Sequence, residues 1–155
     1  MSLDRINLFD FTTVTNLTFG IEHIDIGIAV TAIDVDGGFL YFASLDTAAL
    51  TVRKINLDTF EEVLPALELS INGAWSPLLM LIDTEHHFLL LFIGGYHDEG
   101  GEVGTPTAVK IDLVTLAEGD HLTLSELDDN IVTDGIMDVD NDAAYFGTYL
   151  NSPPA

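Results

Sequence analysis

The chain has 155 residues, of which 48% are hydrophobic, and it carries 26 acidic side chains against 4 basic ones, giving a formal net charge of −22. Its length suffices for one domain with a buried core. The charge disfavours nucleic acids and anionic membranes as partners, because neither supplies the positive charge that drives association. The lack of cysteine excludes disulfides and thiolate chemistry.

An acidic, lysine-poor surface is typical of proteins from high-salt environments, where screening removes the self-repulsion. The alternative is an acidic extracellular or viral surface protein. The longest apolar stretches, residues 77–83 and 88–95, are far shorter than the roughly 20 residues that a membrane span requires. The composition therefore predicts a chain without a membrane span, with an extracellular or surface-associated location favoured.

Short runs rich in Val, Ile, Leu, Phe, Tyr and Thr alternate with Gly, Asp, Asn and Pro along the whole chain, which indicates strands and tight turns. No segment shows sustained helical periodicity. In chain order, strands are predicted at residues 5–9, 12–19, 29–34, 39–44, 51–57, 61–69, 77–83, 88–96, 107–113, 119–124, 132–138 and 143–150. The predicted fold class is all-β.

The chain repeats one unit three times. Arg5-Ile-Asn-Leu, Lys54-Ile-Asn-Leu and Lys110-Ile-Asp-Leu are basic anchors 49 and 56 residues apart. A second, acidic anchor follows each time, and these anchors are Ile33-Asp34, Ile82-Asp83 and Met137-Asp138. Such a period matches a four-stranded blade of a β-propeller, whose strands we name a to d from the axis outward.

The predicted architecture is a single propeller domain, residues 1–155, with repeats at about 5–53, 54–109 and 110–155. The first two predicted strands correspond to strands c and d of a blade. The last two correspond to strands a and b, so each end of the chain carries half a blade. Three blades are too few to close a ring, which takes at least about four. We therefore expect association with itself through a composite blade. A homodimer would form a six-bladed ring and a trimer a nine-bladed one, while the alternatives are a fibre and an excised piece of a longer propeller.

The unit Val109-Lys-Ile-Asp-Leu-Val-Thr-Leu, together with Ala144-Tyr-Phe-Gly-Thr-Tyr and the trailing Ser152-Pro153, resembles the YVTN-type propeller repeats of bacterial and archaeal surface proteins. The resemblance covers nearly the whole chain and implies a propeller fold. It implies no catalytic residues, because propellers host enzymes, lectins and scaffolds alike.

Carboxylates recur where strand a of each copy ends. Alternating oxygen ligands suit a hard cation such as Ca²⁺, and the candidate metal ligands are Asp34, Asp36, Asp83, Glu85, Asp138, Asp140 and Asp142. The spacing matches only part of a calcium loop. The alternative interpretation is turn chemistry, because Asp commonly bonds its own backbone in turns.

The middle copy carries a glycine-rich insertion at residues 94–104. Long loops on rigid scaffolds are where binding functions concentrate, so Tyr96, His97, Asp98 and Glu99 are predicted to form a ligand-binding loop for a glycan or a protein. The His86-His87 and His97-Asp98-Glu99 clusters also suit a transition metal or acid–base chemistry, with surface exposure as the alternative.

The sequence contains no nucleophile elbow and no phosphate-binding glycine loop. It therefore favours a non-enzymatic binding or structural module that needs no cofactor. The alternative is a propeller enzyme, either a glycoside-active or a metal-dependent hydrolase, with axial carboxylates at Asp34, Asp83 and Asp138. Three identical acids argue against that alternative, because acid–base catalysis needs carboxyls with different pKa values.

Overall fold

A computed structural model describes residues 2–10, 12–18, 29–45, 49–69, 76–94, 106–124 and 130–150. The described residues are all-β and contain no α-helix, only a short 3₁₀ turn at Val139–Asn141. None of their segments is a helix long and apolar enough to cross a membrane.

The strands form four antiparallel sheets in chain order. The first hairpin consists of β1 (Ser2–Asn7) and β2 (Thr12–Thr18). The first four-stranded sheet contains β3 (Ala29–Asp34), β4 (Phe39–Leu45), β5 (Leu50–Asn56) and β6 (Glu61–Glu68). The second four-stranded sheet contains β7 (Ser76–Asp83), β8 (Phe88–Gly94), β9 (Thr107–Asp112) and β10 (Ala117–Thr123). The last hairpin consists of β11 (Asn130–Asp138) and β12 (Ala143–Leu150).

The all-β prediction is confirmed, and each predicted strand has a counterpart in the structure. Some bounds were wrong. The strand expected at residues 5–9 is Ser2–Asn7, and Leu8 and Phe9 belong to the turn. The reason is local, because the side-chain oxygen of Asn7 accepts the main-chain N–H of Phe9 at 2.9 Å and turns the chain. The strand expected from residue 119 begins at residue 117.

The turn between strands c and d begins with the same hydrogen bond in all three copies. Asn7, Asn56 and Asp112 each accept, through Oδ1, the main-chain N–H two residues later at 2.9 to 3.0 Å. Phe60 and Leu116 then occupy equivalent left-handed positions with φ of 55° and 51°. The repeat found in the sequence is therefore also a repeat of turn geometry.

Each four-stranded sheet buries apolar side chains on both of its faces. We call the face toward the next sheet in the chain its forward face and the opposite face its backward face. Tyr41 and Val52 on the forward face of the first four-stranded sheet share one apolar core with Leu89 and Ile111 on the backward face of the second. Burial of this apolar surface holds the two sheets together.

At the other two junctions, too, the forward face of one sheet packs on the backward face of the next. Leu3 and Leu17 of the first hairpin pack against Phe42 and Ile55 on the backward face of the first four-stranded sheet. At the far end, Phe92 on the forward face of the second four-stranded sheet lies against Phe146 of the last hairpin, with ring centroids 4.9 Å apart.

The predicted a strands, which open the two four-stranded sheets and the last hairpin, are β3, β7 and β11. Strand β7 contacts both β3 and β11, so the three a strands are neighbours. Within the described residues the four sheets form an open series and no closed ring. The number of blades in a ring therefore stays a prediction.

Candidate functional site

The carboxylates predicted to bind a metal lie at the a–b turns, and the first carboxylate of each turn bonds a residue of the same turn. Asp34 and Asp83 each accept, through Oδ1, the main-chain N–H three residues later, at 2.7 and 2.9 Å. Asp138 accepts a bond from the side-chain amide of Asn141 at 2.9 Å. The fourth residue after each aspartate has a left-handed φ, and these residues are Gly38, His87 and Asp142. The three acidic anchors are therefore turn residues.

The structure brings two of these turns together through one imidazole. His86 Nδ1 lies 2.9 Å from Asp83 Oδ2 in its own turn, and His86 Nε2 lies 3.8 Å from Asp142 Oδ1 in the turn of the last hairpin. The hydrogen bond and the charge of Asp83 raise the pKa of His86, and the charges of Asp142 and Glu85 add to the effect. His86 thus bridges two successive sheets, and its raised pKa favours the protonated form in this bridge.

Asp83 is the one carboxyl of this group that is buried. Burial acts to raise its pKa, but the main-chain N–H, ring and charge of His86 outweigh burial, so the pKa of Asp83 lies below its ordinary value. The carboxylate form is therefore the stable one, and its function is to hold the turn and the imidazole.

No group of three or more His, Asp or Glu side chains is placed to hold a metal ion in the part of the chain that the structure describes. Asp36 and Asp140 lie exposed on two different turns. Calcium binding by the seven carboxylates stays a prediction. The proposed ligand loop, with Tyr96, His97, Asp98 and Glu99, lies outside the described residues.

The basic anchors have a structural role that the sequence did not reveal. Lys54 Nζ lies 4.0 Å from the centre of the Phe39 ring and donates to the main-chain oxygen of Leu113 in the next sheet at 2.9 Å. The Tyr41 hydroxyl donates to the same oxygen at 3.4 Å. Burial, together with the charges of Asp34 and Asp112, raises the pKa of Tyr41 to about 12, so the hydroxyl keeps its proton. The basic residue that opens each of the three repeats was the only sequence signal.

The first hairpin exposes a face that the other copies bury. Ile6 is equivalent to Ile55 and Ile111, yet it is 52% exposed whereas both of the others are 0% exposed. Two residues further on, Leu8 is 83% exposed, whereas the equivalent Leu113 is 4% exposed. The difference arises because none of the described sheets covers the backward face of the first hairpin.

The last hairpin exposes the complementary face. Tyr145 is 58% exposed, whereas the equivalent Tyr41 is 1% exposed, and Ile136 opposite Tyr145 is also exposed. An open depression of about 400 Å³ lies on this forward face, lined by Ile136, Met137, Asp138, Val139, Asp140 and Tyr145. Single exposed apolar residues are ordinary, but an exposed apolar pair beside a concavity suits contact with another surface.

Two strand edges are also open. Among the described residues, β12 pairs only with β11, and β1 pairs only with β2. In the two complete sheets the equivalent strands pair with each other, β4 with β5 and β8 with β9. Unpaired edges are prone to join other chains. The open edges and exposed faces at the two ends of the series together form the candidate site, and it is suited to assembly.

The comparisons with known proteins assign the chain to no group. No protein-family model matches the sequence, and no curated protein matches it.

Proposed function

We propose that this chain is a non-enzymatic β-propeller module of the type that the YVTN-like repeats suggest, with a structural or binding function at the surface of a virion, filament or cell. In this proposal the last hairpin of one copy and the first hairpin of another copy form one shared four-stranded blade. Two copies then make a six-bladed ring.

The observation that carries the proposal is the constant pairing between strands b and c. Leu40 pairs with Ile55 in the first four-stranded sheet, and Leu89 pairs with Ile111 in the second. The turns on both sides have the same lengths in every copy, so the equivalent pair is Ala144 with Ile6 of a second copy. The pairing uses the two edges that are open in the single chain.

The exposed faces support the same partner. Inside the chain, forward faces pack on backward faces at each junction. In a shared blade, Ile6 of the second copy is covered by the second four-stranded sheet of the first copy. Ile136 and Tyr145 of the first copy are covered by the first four-stranded sheet of the second copy. A second copy is the occupant that fits because this chain carries both complementary halves. Two-fold rings are the commonest closed assemblies. A nine-bladed trimer would use the same shared blade between successive copies.

The second candidate, a hydrolase with axial carboxylates, has less support. Asp34, Asp83 and Asp138 bond their own turns. Of the three, Asp83 is paired with the His86 imidazole, and that imidazole also reaches Asp142 in the next sheet, which suits a contact between turns.

Solution mass tests the proposal. Sedimentation of the chain at several protein and salt concentrations is expected to give 33.6 kDa, twice the 16.8 kDa of one chain. A mass three times that of one chain supports the nine-bladed ring, and polymers without a fixed mass support a fibre. A folded species that stays at 16.8 kDa at all concentrations would refute the shared blade and leave a longer chain as the source of the missing strands.

A further inference from the structure

Each basic anchor reaches toward the sheet that follows it. Arg5 Nη1 donates to the main-chain oxygen of Leu57 at 3.3 Å, and Lys54 Nζ donates to that of Leu113 at 2.9 Å. Leu57 and Leu113 occupy the same position, three residues after the basic anchor of their own copy. Two successive junctions are thus held by the same hydrogen bond between a cationic side chain and a turn carbonyl.

Lys110 is the third basic anchor, and its ammonium group has the same position over an aromatic ring as that of Lys54. Its Nζ lies 4.0 Å from the centre of the Phe88 ring, the same distance at which Lys54 lies over Phe39. The Lys110 side chain is exposed, and none of the described residues accepts a hydrogen bond from it. The Phe88 ring thus holds the Lys110 ammonium group on the exposed part of the forward face of its sheet.

The last hairpin covers the forward face of the second four-stranded sheet only in part. Phe92 and Leu81 of strands β8 and β7 are buried beneath it. Leu122 of strand β10 stays exposed on the outer part of the sheet, as does Lys110. The uncovered area is where a c–d hairpin packs at the earlier junctions.

We propose that Lys110 donates a hydrogen bond to the main-chain oxygen of Leu8 in a second copy, and that this contact docks the turn of its first hairpin on the second four-stranded sheet. Leu8 lies three residues after Arg5, so it is the equivalent of Leu57 and Leu113. Its high exposure in the single chain is explained by the missing donor sheet. This inference rests on the proposed shared blade and adds its specific polar contact.

A hydrogen bond from a cation to a carbonyl changes an equilibrium constant by roughly tenfold to hundredfold. The bond matters more in this chain because only four basic side chains oppose 26 acidic ones. We therefore expect assembly to depend on Lys110 more than on any other exposed charge.

The test compares Lys110→Met with Lys54→Met by sedimentation equilibrium and thermal melting. Both changes remove one positive charge, so they affect overall repulsion equally. Lys110→Met is expected to raise the dissociation constant by roughly tenfold or more with the melting temperature of dilute protein unchanged. Lys54→Met is expected to lower that melting temperature and to change the dissociation constant much less. Lys110→Arg, which keeps the charge, is expected to restore most of the affinity.

A cross-linking experiment tests directly whether residue 110 of one chain lies near residue 8 of another. The chain has no cysteine, so a mixture of Lys110→Cys and Leu8→Cys chains treated with a short bismaleimide is expected to yield cross-linked pairs. If the wild type assembles while Lys110→Met assembles equally well, the lysine contact is wrong and the shared blade stands. If the cross-link is absent at concentrations where the mixed chains assemble, the first hairpin does not dock on the second four-stranded sheet and the shared blade is wrong as well. If the wild type is a monomer at every concentration, both proposals fall.

Discussion

Ile6, Ile55 and Ile111 occupy the same position in the three repeats, and replacing each with alanine is expected to have unequal effects. Ile55 and Ile111 are fully buried, and truncating a buried isoleucine to alanine costs about 2–5 kcal/mol. Ile6 keeps 52% of its surface exposed in the single chain. Since full burial contributes roughly 1.5–3 kcal/mol, Ile6→Ala is expected to cost about 1 kcal/mol there.

Thermal melting at two protein concentrations measures the difference. For a chain of this length each kcal/mol shifts the melting temperature by about 2–4 °C. In dilute solution, where mass action keeps chains apart, Ile6→Ala is expected to melt within a few degrees of the wild type, and both core variants well below it. In concentrated solution a second copy buries Ile6, so its variant is expected to fall toward the core variants.

Two results would contradict this reasoning. A large loss for Ile6→Ala in dilute protein would mean that Ile6 is already buried in the single chain. An effect that stays small at concentrations where sedimentation detects the assembly would mean that the backward face of the first hairpin remains uncovered. Ile55→Ala serves as the matched control because its burial does not depend on association.

Three further outcomes are expected. The pKa of His86 is raised, so the bridge from its protonated ring to Asp83 and Asp142 is expected to stabilise the fold fully below the ordinary histidine pKa of about 6.5. This stabilisation is lost as pH rises through the raised pKa, and the melting temperature of the wild type is expected to fall over that range. The melting temperature of His86→Gln is expected to lack this fall. Asn56→Ala is expected to cost about 1 kcal/mol in urea unfolding through the lost turn bonds, whereas Asn56→Asp should be tolerated because Asp112 makes the same turn. Raising NaCl from about 0.1 to 1 M shortens the screening length from about 10 to 3 Å, so the melting temperature is expected to rise; a fall would show that repulsion does not limit stability.

Sequence reasoning identified the strands well because their signals are local. Alternating apolar residues and the Asp-Gly-Gly turn after Asp34 act within a few residues of the chain. The strand bounds at residues 5–9 were wrong because Leu8 reads as a strand residue although the Asn7 side chain closes a turn beneath it.

The faces and the basic anchors were beyond such reasoning. Ile6 and Ile55 stand in nearly identical sequence, and their different exposure depends on which sheet lies in front of each. Lys54 was recognised as a repeat marker, but its bond to Leu113 joins residues 59 positions apart. Contacts between sheets of this kind are set by packing, and the local pattern carries no information about them.

The shared blade is tested most directly by its strand register. Chains carrying Ile6→Cys are mixed with chains carrying Ala144→Cys, because paired positions on adjacent strands have Cα atoms about 4.5–5.5 Å apart, within reach of a disulfide. Asp4→Cys with Ala144→Cys is the control, shifted by two residues on the same side of the strand, where Cα atoms are about 7–8 Å apart. If the blade is shared, the first mixture is expected to give disulfide-linked dimers and the second mixture few. Equal yields from both mixtures, or none from the first under conditions where the chains associate, would contradict it.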